Sequence, residues 1–375
     1  MKKLAGIATV IVALGVALAL AVPLTGCEIP EPSQDVWGDF HHGLTNSGYS
    51  LSKAVEEANV EWIYQTGDTV ASSPSIKYDQ VYVGSNDGAI YCIEKDKGDF
   101  AWKYQTGGAV LSSPAIAGHK VFVGSDDGAV YALDEDDGSL EWKTVLGGPV
   151  RSSPAVARDK VFVGCDDGYL YILDEDDGDI LWQFRTGGPI TSSPAVKFRD
   201  VYFGSDDGFV YALDEKDEEL IWKYQTGGPV RSSPAVGGDE VYFGSDDGFV
   251  YCVDEDDGVL FWMYQTGGPV HSSPALGYGQ VYVGSDDGAI YTLEDGDDGG
   301  QLIWKLQTGG PVRSSPAVAD HAVYVASDDG FLYCLDEDDA GLIFKYEIGD
   351  QVYSSPAVAA HKLYIGNGSI ICFKE

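Results

Sequence analysis

The tripeptide Ser-Ser-Pro returns eight times, at 72–74, 112–114, 152–154, 192–194, 232–234, 272–274, 314–316 and 354–356. Tryptophan keeps the same beat at Trp62, Trp102, Trp142, Trp182, Trp222, Trp262 and Trp304, and Phe344 takes the eighth place. The step is 40 residues, with one step of 42 where two extra residues enter within 294–301. A unit of this length cannot bury its own apolar face, so equivalent units must pack against one another. Helix pairs are one way to do so. They are excluded because each unit carries several Gly, one or two Pro, and no apolar spacing of 3.6 residues.

Each unit instead reads as four short strands. In 151–190 they are predicted at 152–156, 160–165, 169–173 and 180–186, with alternating apolar residues such as Val161 and Val163. Asp167-Gly168 and Asp177-Gly178 read as two-residue hairpin turns, where positive φ is needed. Pro154 falls inside the first strand. Proline there suits an inner strand whose open edge faces a central channel. The prediction is an all-β, eight-bladed β-propeller of four-stranded antiparallel blades. The last unit ends at Glu375 without an outer strand, whereas 60–66 is an outer strand without partners of its own. The N-terminal strand should therefore complete the final blade and close the ring.

These residues resemble the pyrroloquinoline-quinone-type propeller family. Its docking motif, roughly Ala-x-Asp-x-x-Thr-Gly-x-x-x-Trp-x-x-x-x-Gly, is matched by Ala132, Asp134, Gly138, Trp142 and Gly147. It is matched again by Ala212, Asp214, Trp222 and Gly227, with Glu218 in place of the first glycine. Cys92, Cys252 and Cys334 replace the alanine, and Asp137, Asp177 and Asp257 replace the threonine. Ile172 and Thr292 depart from the small-residue rule. The resemblance spans about residues 37–373, and 37–49 is similar to the lead-in of such propellers. It implies that Trp62, Trp102, Trp142, Trp182, Trp222, Trp262, Trp304 and Phe344 dock each blade on the next. An indole face of about 200 Å² buried between blades would make this a girdle.

The address comes from the N-terminus. Lys2-Lys3, an uncharged apolar run over 4–24 and Leu24-Thr25-Gly26-Cys27 resemble a bacterial lipoprotein signal. The expected organisation is a signal peptide at 1–26, lipidation at Cys27, a tether at 27–36 and a propeller at 37–375. An uncleaved membrane anchor is the alternative, and both place the ring outside the cytoplasm as a membrane-anchored protein at the cell surface or in the periplasm. Sixty acidic against 23 basic residues give a net charge of −37. Such a surface repels nucleic acid and anionic lipid headgroups, and both are discounted as partners.

The acidic pairs, such as Asp126-Asp127 and Asp206-Asp207, are read as turn-forming and solvated. Divalent cation binding is the competing reading, but the loops lack the spacing of the twelve-residue calcium pattern. Cys92, Cys165, Cys252, Cys334 and Cys372 are spread one per unit and read as small buried residues. Quinone enzymes of the family imply adjacent cysteines, calcium ligands and long capping insertions. This chain has no Cys-Cys pair and an insertion of two residues. No catalytic residue, metal site or cofactor is expected.

The informative position precedes Ser-Ser-Pro, where the units disagree. It holds Ala71, Leu111, Arg151, Thr191, Arg231, His271, Arg313 and Tyr353. Arg151, Arg231, His271 and Arg313 are the candidate binding residues at one channel mouth, for an anionic ligand or an acidic partner segment. The plainer reading is that each arginine pairs with an Asp-Asp-Gly loop. The resulting expectation is a non-catalytic scaffold for protein partners at the cell envelope, similar to propeller lipoproteins of outer-membrane β-barrel assembly. The alternative is a quinone-dehydrogenase-like or ligand-sensing propeller that binds a small anion or a divalent cation.

Overall fold

The computed structural model describes residues 36–296, 299–349 and 352–375. The signal segment, Cys27 and the tether up to residue 35 lie outside them. The described residues form eight sheets in a ring, the antiparallel strands of the first seven blades lying in chain order. The strands of the third blade are Ala155–Ala157, Lys160–Gly164, Tyr169–Asp174 and Ile180–Arg185. The eighth blade pairs Ala357–Ala359, Lys362–Gly366 and Ser369–Lys374 with Asn59–Gln65 as its outer strand. Trp62 sits opposite Cys372 in that last ladder. The head-to-tail seam is thus the one expected from the incomplete end units, and it leaves no free sheet edge between the first and last blades.

Two local expectations need correction. The inner strand begins after Pro154, at Ala155, because the serines before it bond elsewhere. The Asp-Gly hairpins are not two-residue turns with positive φ at both positions. Only the glycine is left-handed, with φ 85° at Gly168. The Gly168 N–H donates to Cys165 O at 3.1 Å and the Cys165 N–H to Tyr169 O at 3.0 Å. This is a turn followed by a left-handed glycine, the three-residue hairpin form.

The serine pair explains the motif. The second serine of each unit forms a belt around the axis. The Ser73 N–H donates to Ser113 Oγ at 2.9 Å, Ser113 to Ser153, and so on through Ser193, Ser233, Ser273 and Ser315 to Ser355. The Ser355 N–H then returns to Ser73 Oγ at 3.0 Å. Neighbouring inner strands are splayed apart, so their backbones cannot form a ladder. A hydroxyl supplies the missing acceptor at each step. The first serine staples its own hairpin: Ser192 Oγ accepts from the Gly204 N–H and donates to Gly204 O, both at 2.8 Å.

The channel is closed at one end by the chain's own segment 37–50. Trp37 exchanges two backbone hydrogen bonds of 2.7 Å with Ile76 of the first blade. Carbonyls of Gly38, Leu44, Thr45, Ser47 and Gly48 accept from the N–H groups of Ile116, Val196, Val236, Leu276 and Val318. Tyr49–Ser50 adds a short parallel strand to the seventh blade. The inner edges of six of the eight blades are therefore met by one crossing segment of backbone.

Candidate functional site

Three sets of aspartates recur around the ring. Asp134, Asp174, Asp214 and Asp254 close the outer hairpins; Asp134 Oδ1 accepts from the Asp136 and Asp137 N–H groups at 2.9 and 3.1 Å. In six inner loops the aspartate before the glycine ties two blades together. Asp127 Oδ2 accepts from the Tyr131 hydroxyl at 2.5 Å and from the Gly107 N–H of the preceding blade at 3.1 Å. Partial burial alone would raise the Asp127 carboxyl. The bonds from Tyr131, Lys143, Gly107 and Ser125 outweigh it and hold the group below the usual carboxylate range. Asp87, Asp287 and Asp329 are held low in the same way, against their partial burial.

The first aspartate of each inner loop points to the mouth opposite the plug. Here Arg151, Arg231, Arg313 and His271 come together with the carboxylates. Arg231 grips Asp206 with Nε and Nη2 at 3.0 and 3.1 Å, and reaches Asp246 with Nη1 at 2.8 Å. Arg313 grips Asp286 with both contacts at 3.0 Å and reaches Asp328 at 2.9 Å. Arg151 spans Asp126 and Asp166, each at 2.9 Å. His271 lies 2.9 Å from Asp246 and 3.3 Å from Asp286. Its hydrogen bond to Asp246 raises the imidazole above its ordinary range against the opposing effect of burial. Each guanidinium fork is thus occupied by the protein's own carboxylates. Six aspartates face three arginines and one histidine, so the belt carries a net negative charge.

The plug carries three titratable groups, of which His41 and His42 are buried and Asp39 is partly so. His41 lies between the carbonyls of Asn46 and Pro316, at 2.8 and 2.6 Å. Burial lowers His41 and His42 to about 4, so both are neutral at pH 7. Asp39 is partly buried, and desolvation raises it to about 7 although Lys77 acts to lower it. The lead-in 37–49 carries no periodic apolar pattern that would signal its course across the axis. Positive φ at His41, His42 and Asn46 is what bends it.

Six of the eight docking residues reach the next blade through a hydrogen bond. The indole N–H groups of Trp62, Trp102, Trp142 and Trp222 donate to the carbonyls of Lys95, Glu135, Glu175 and Glu255 in the next blade, at 2.7 to 3.0 Å. Trp262 and Trp304 reach Gly296 and Glu337. The glycine of the facing hairpin makes room: a Cβ on Gly138 would lie 2.4 Å from the Trp102 ring. Trp182 and Phe344 are only half-buried. Glu218, with φ 57°, stands at the glycine position that would face Trp182. The five cysteines of the ring form no disulfide and are buried.

Two family models match the chain. One, described as the β-propeller of the beta-alanine-activating enzyme, covers residues 156–374, more than half of the length. The other, described as outer membrane protein assembly factor BamB, covers 45–202. The chain belongs to the pyrroloquinoline-quinone-type propeller family. No curated protein matches it in sequence. Among solved structures, BamB from Moraxella catarrhalis matches with a TM-score of 0.71 at 20% identity, covering 84% of this chain and 100% of that one. A europium-containing methanol dehydrogenase matches at 0.77 and 15% identity, with 89% and 91% covered. The computationally designed Ika8 protein matches at 0.76 and 16%, with 85% and 100% covered. At these identities the structural likeness speaks to the fold, which an assembly factor, an oxidoreductase and a designed chain share. The family's hosts differ in function, so the chemistry must be argued from the mouth and the plug.

Proposed function

We propose that this protein is a non-catalytic scaffold, lipid-anchored through Cys27 on the extracytoplasmic side of the envelope, that holds protein partners during envelope protein assembly. The observation that carries this reading is the asymmetry of the ring. One end of the axis is filled by the chain's own residues 37–50, and the other presents a charged belt on a rigid rim. A filled axis suits surface recognition. The match of 45–202 to the assembly-factor model supports the envelope role. The cysteines support the absence of quinone chemistry, since each stands alone in its blade.

Crosslinking of intact membranes followed by mass spectrometry tests the proposal. The expected result is a reproducible adduct with an envelope protein. Dye-linked alcohol oxidation after addition of quinone and Ca²⁺, with a change in visible absorbance, would favour the dehydrogenase-like alternative.

A further inference from the structure

The hairpins that join the two innermost strands of each blade turn at the end of the ring closed by residues 37–50. Their tips do not read alike. The first tip residue is left-handed, and at two blades it is glycine, Gly118 and Gly238, with φ 53° and 59°. Glycine suits that backbone. At three other blades the same position holds an aromatic residue: Tyr78, Phe198 and Tyr278, with φ 51° to 53°. Their rings are not spent on the core. Phe198 is 68% exposed, Tyr78 60% and Tyr278 39%. Leu51 is 46% exposed on the same side, between Ser50, paired with Ala319, and Ser52, whose Oγ accepts from the His361 N–H at 2.8 Å. The matching loops at the mouth, such as 125–128 and 205–208, hold no aromatic residue.

The outer hairpins turn at the plug end as well, because alternate hairpins of an antiparallel blade share an end. They are acidic, and bases beside the inner tips answer some of that charge. Lys77 reaches Glu135 at 3.4 Å, and Lys120 and Lys362 reach Asp176 and Asp96 at 2.9 Å. The chain also enters the ring here: Trp37 pairs with Ile76, two residues before Tyr78. Val36 follows Cys27 by nine residues, a span of at most about 30 Å when fully extended. An anchor at Cys27, or in the apolar run before it, keeps this end within that distance of the bilayer.

We propose that the plug end is the membrane-facing surface of the ring, with Phe198, Tyr78 and Tyr278 entering the headgroup region of a zwitterionic bilayer. Aromatic side chains favour that boundary. The outer-hairpin acids that remain in excess disfavour an anionic surface. This rests on the anchor in the proposed function and adds an orientation to it, which leaves the mouth turned toward the partner.

The test places a nitroxide on Phe198→Cys, Tyr78→Cys or Val145→Cys of the full-length protein in phosphatidylcholine vesicles. Val145 is 67% exposed and pairs with Ala129 beside a mouth loop, so it matches Phe198 in exposure and lies at the other end. The ring cysteines are buried, and unsubstituted protein gives the background. Power saturation reads access of oxygen, which lipid enriches, and of a water-soluble nickel chelate, which lipid excludes. Positions 198 and 78 should show several-fold lower chelate access than 145, with higher oxygen access. Phe198→Gly combined with Tyr78→Gly should raise Tm, because glycine relaxes both turns, and should restore chelate access at a label on Tyr278→Cys. Equal chelate access at 198 and 145, a lower value at 145, or shielding at 278 that survives the double substitution overturns the proposal. Loss of both oxygen and chelate access at 198 marks contact with protein, a second copy included, and overturns it as well. Mass spectrometry of Cys27 in the same sample reports the lipid separately. A bare Cys27 with shielded labels removes the lipid anchor and keeps the orientation through the apolar run; a lipidated Cys27 with unshielded labels does the reverse.

Discussion

Trp142 and Trp182 are the same residue at the same beat, yet they should not contribute equally. Trp142 is 7% exposed, packs against Gly178 and donates to Glu175 O. Truncation to Ala should cost about 3–5 kcal/mol in chemical denaturation. Trp182 is half-buried and its facing position is Glu218, so Trp182→Ala should cost clearly less. Glu218→Gly should stabilise by about 1 kcal/mol, because a left-handed backbone is strained for a residue with a Cβ. The tryptophan beat was legible because its partner glycine is written in the same repeat. The division of labour within Asp126-Asp127 was not. Two identical neighbours take opposite roles, one toward Arg151 and one toward Tyr131, and only the direction of the loop decides which. The thiols give a second residue-scale prediction. Burial raises Cys92, Cys165 and Cys372 to about 12, and thiolates are the reactive species. Titration of the native protein with a thiol reagent at pH 8 should find no reactive equivalent if Cys27 is lipidated and one if it is not. Denaturant should release five more.

At the scale of elements the serine belt and the plug carry the new content. Ser233→Ala removes the acceptor of the buried Ser193 N–H and should cost about 1–3 kcal/mol by urea unfolding. The Ser-Ser-Pro motif announced a repeat, but the use of each serine depends on the splay between blades, which no single unit encodes. The plug contributes a pH effect with a definite sign. Asp39 titrates near 7 in the folded ring and about 3.9 in the unfolded chain. The folded state therefore binds the extra proton between those values, and Asp39 lowers stability progressively as pH rises through that window. Asp39→Asn should gain on the wild type by up to about 1.4 kcal/mol per pH unit from pH 4 to 7, and then level off. Midpoints of urea unfolding at a series of pH values measure this directly. A gain that is flat with pH would mean that Asp39 ionises freely in the channel.

For the molecule as a whole, the number of blades, the strand order and the seam followed from periodicity, because a ring of equivalent wedges has few ways to close. The closed end of the axis did not, since it depends on 37–50 finding the open edges of several blades at once. The resulting body has one end sealed by backbone and one end belted by six aspartates and four bases, with a break at Thr191. The central claim is that this open mouth is the face that meets the partner. Photocrosslinking in intact cells tests it most directly, with benzoylphenylalanine placed at Thr191 in one strain and at the exposed outer-rim position Val259 in another. An adduct with an envelope protein from position 191 and none from 259 is the predicted result. Adducts from 259 with none from 191 would contradict it.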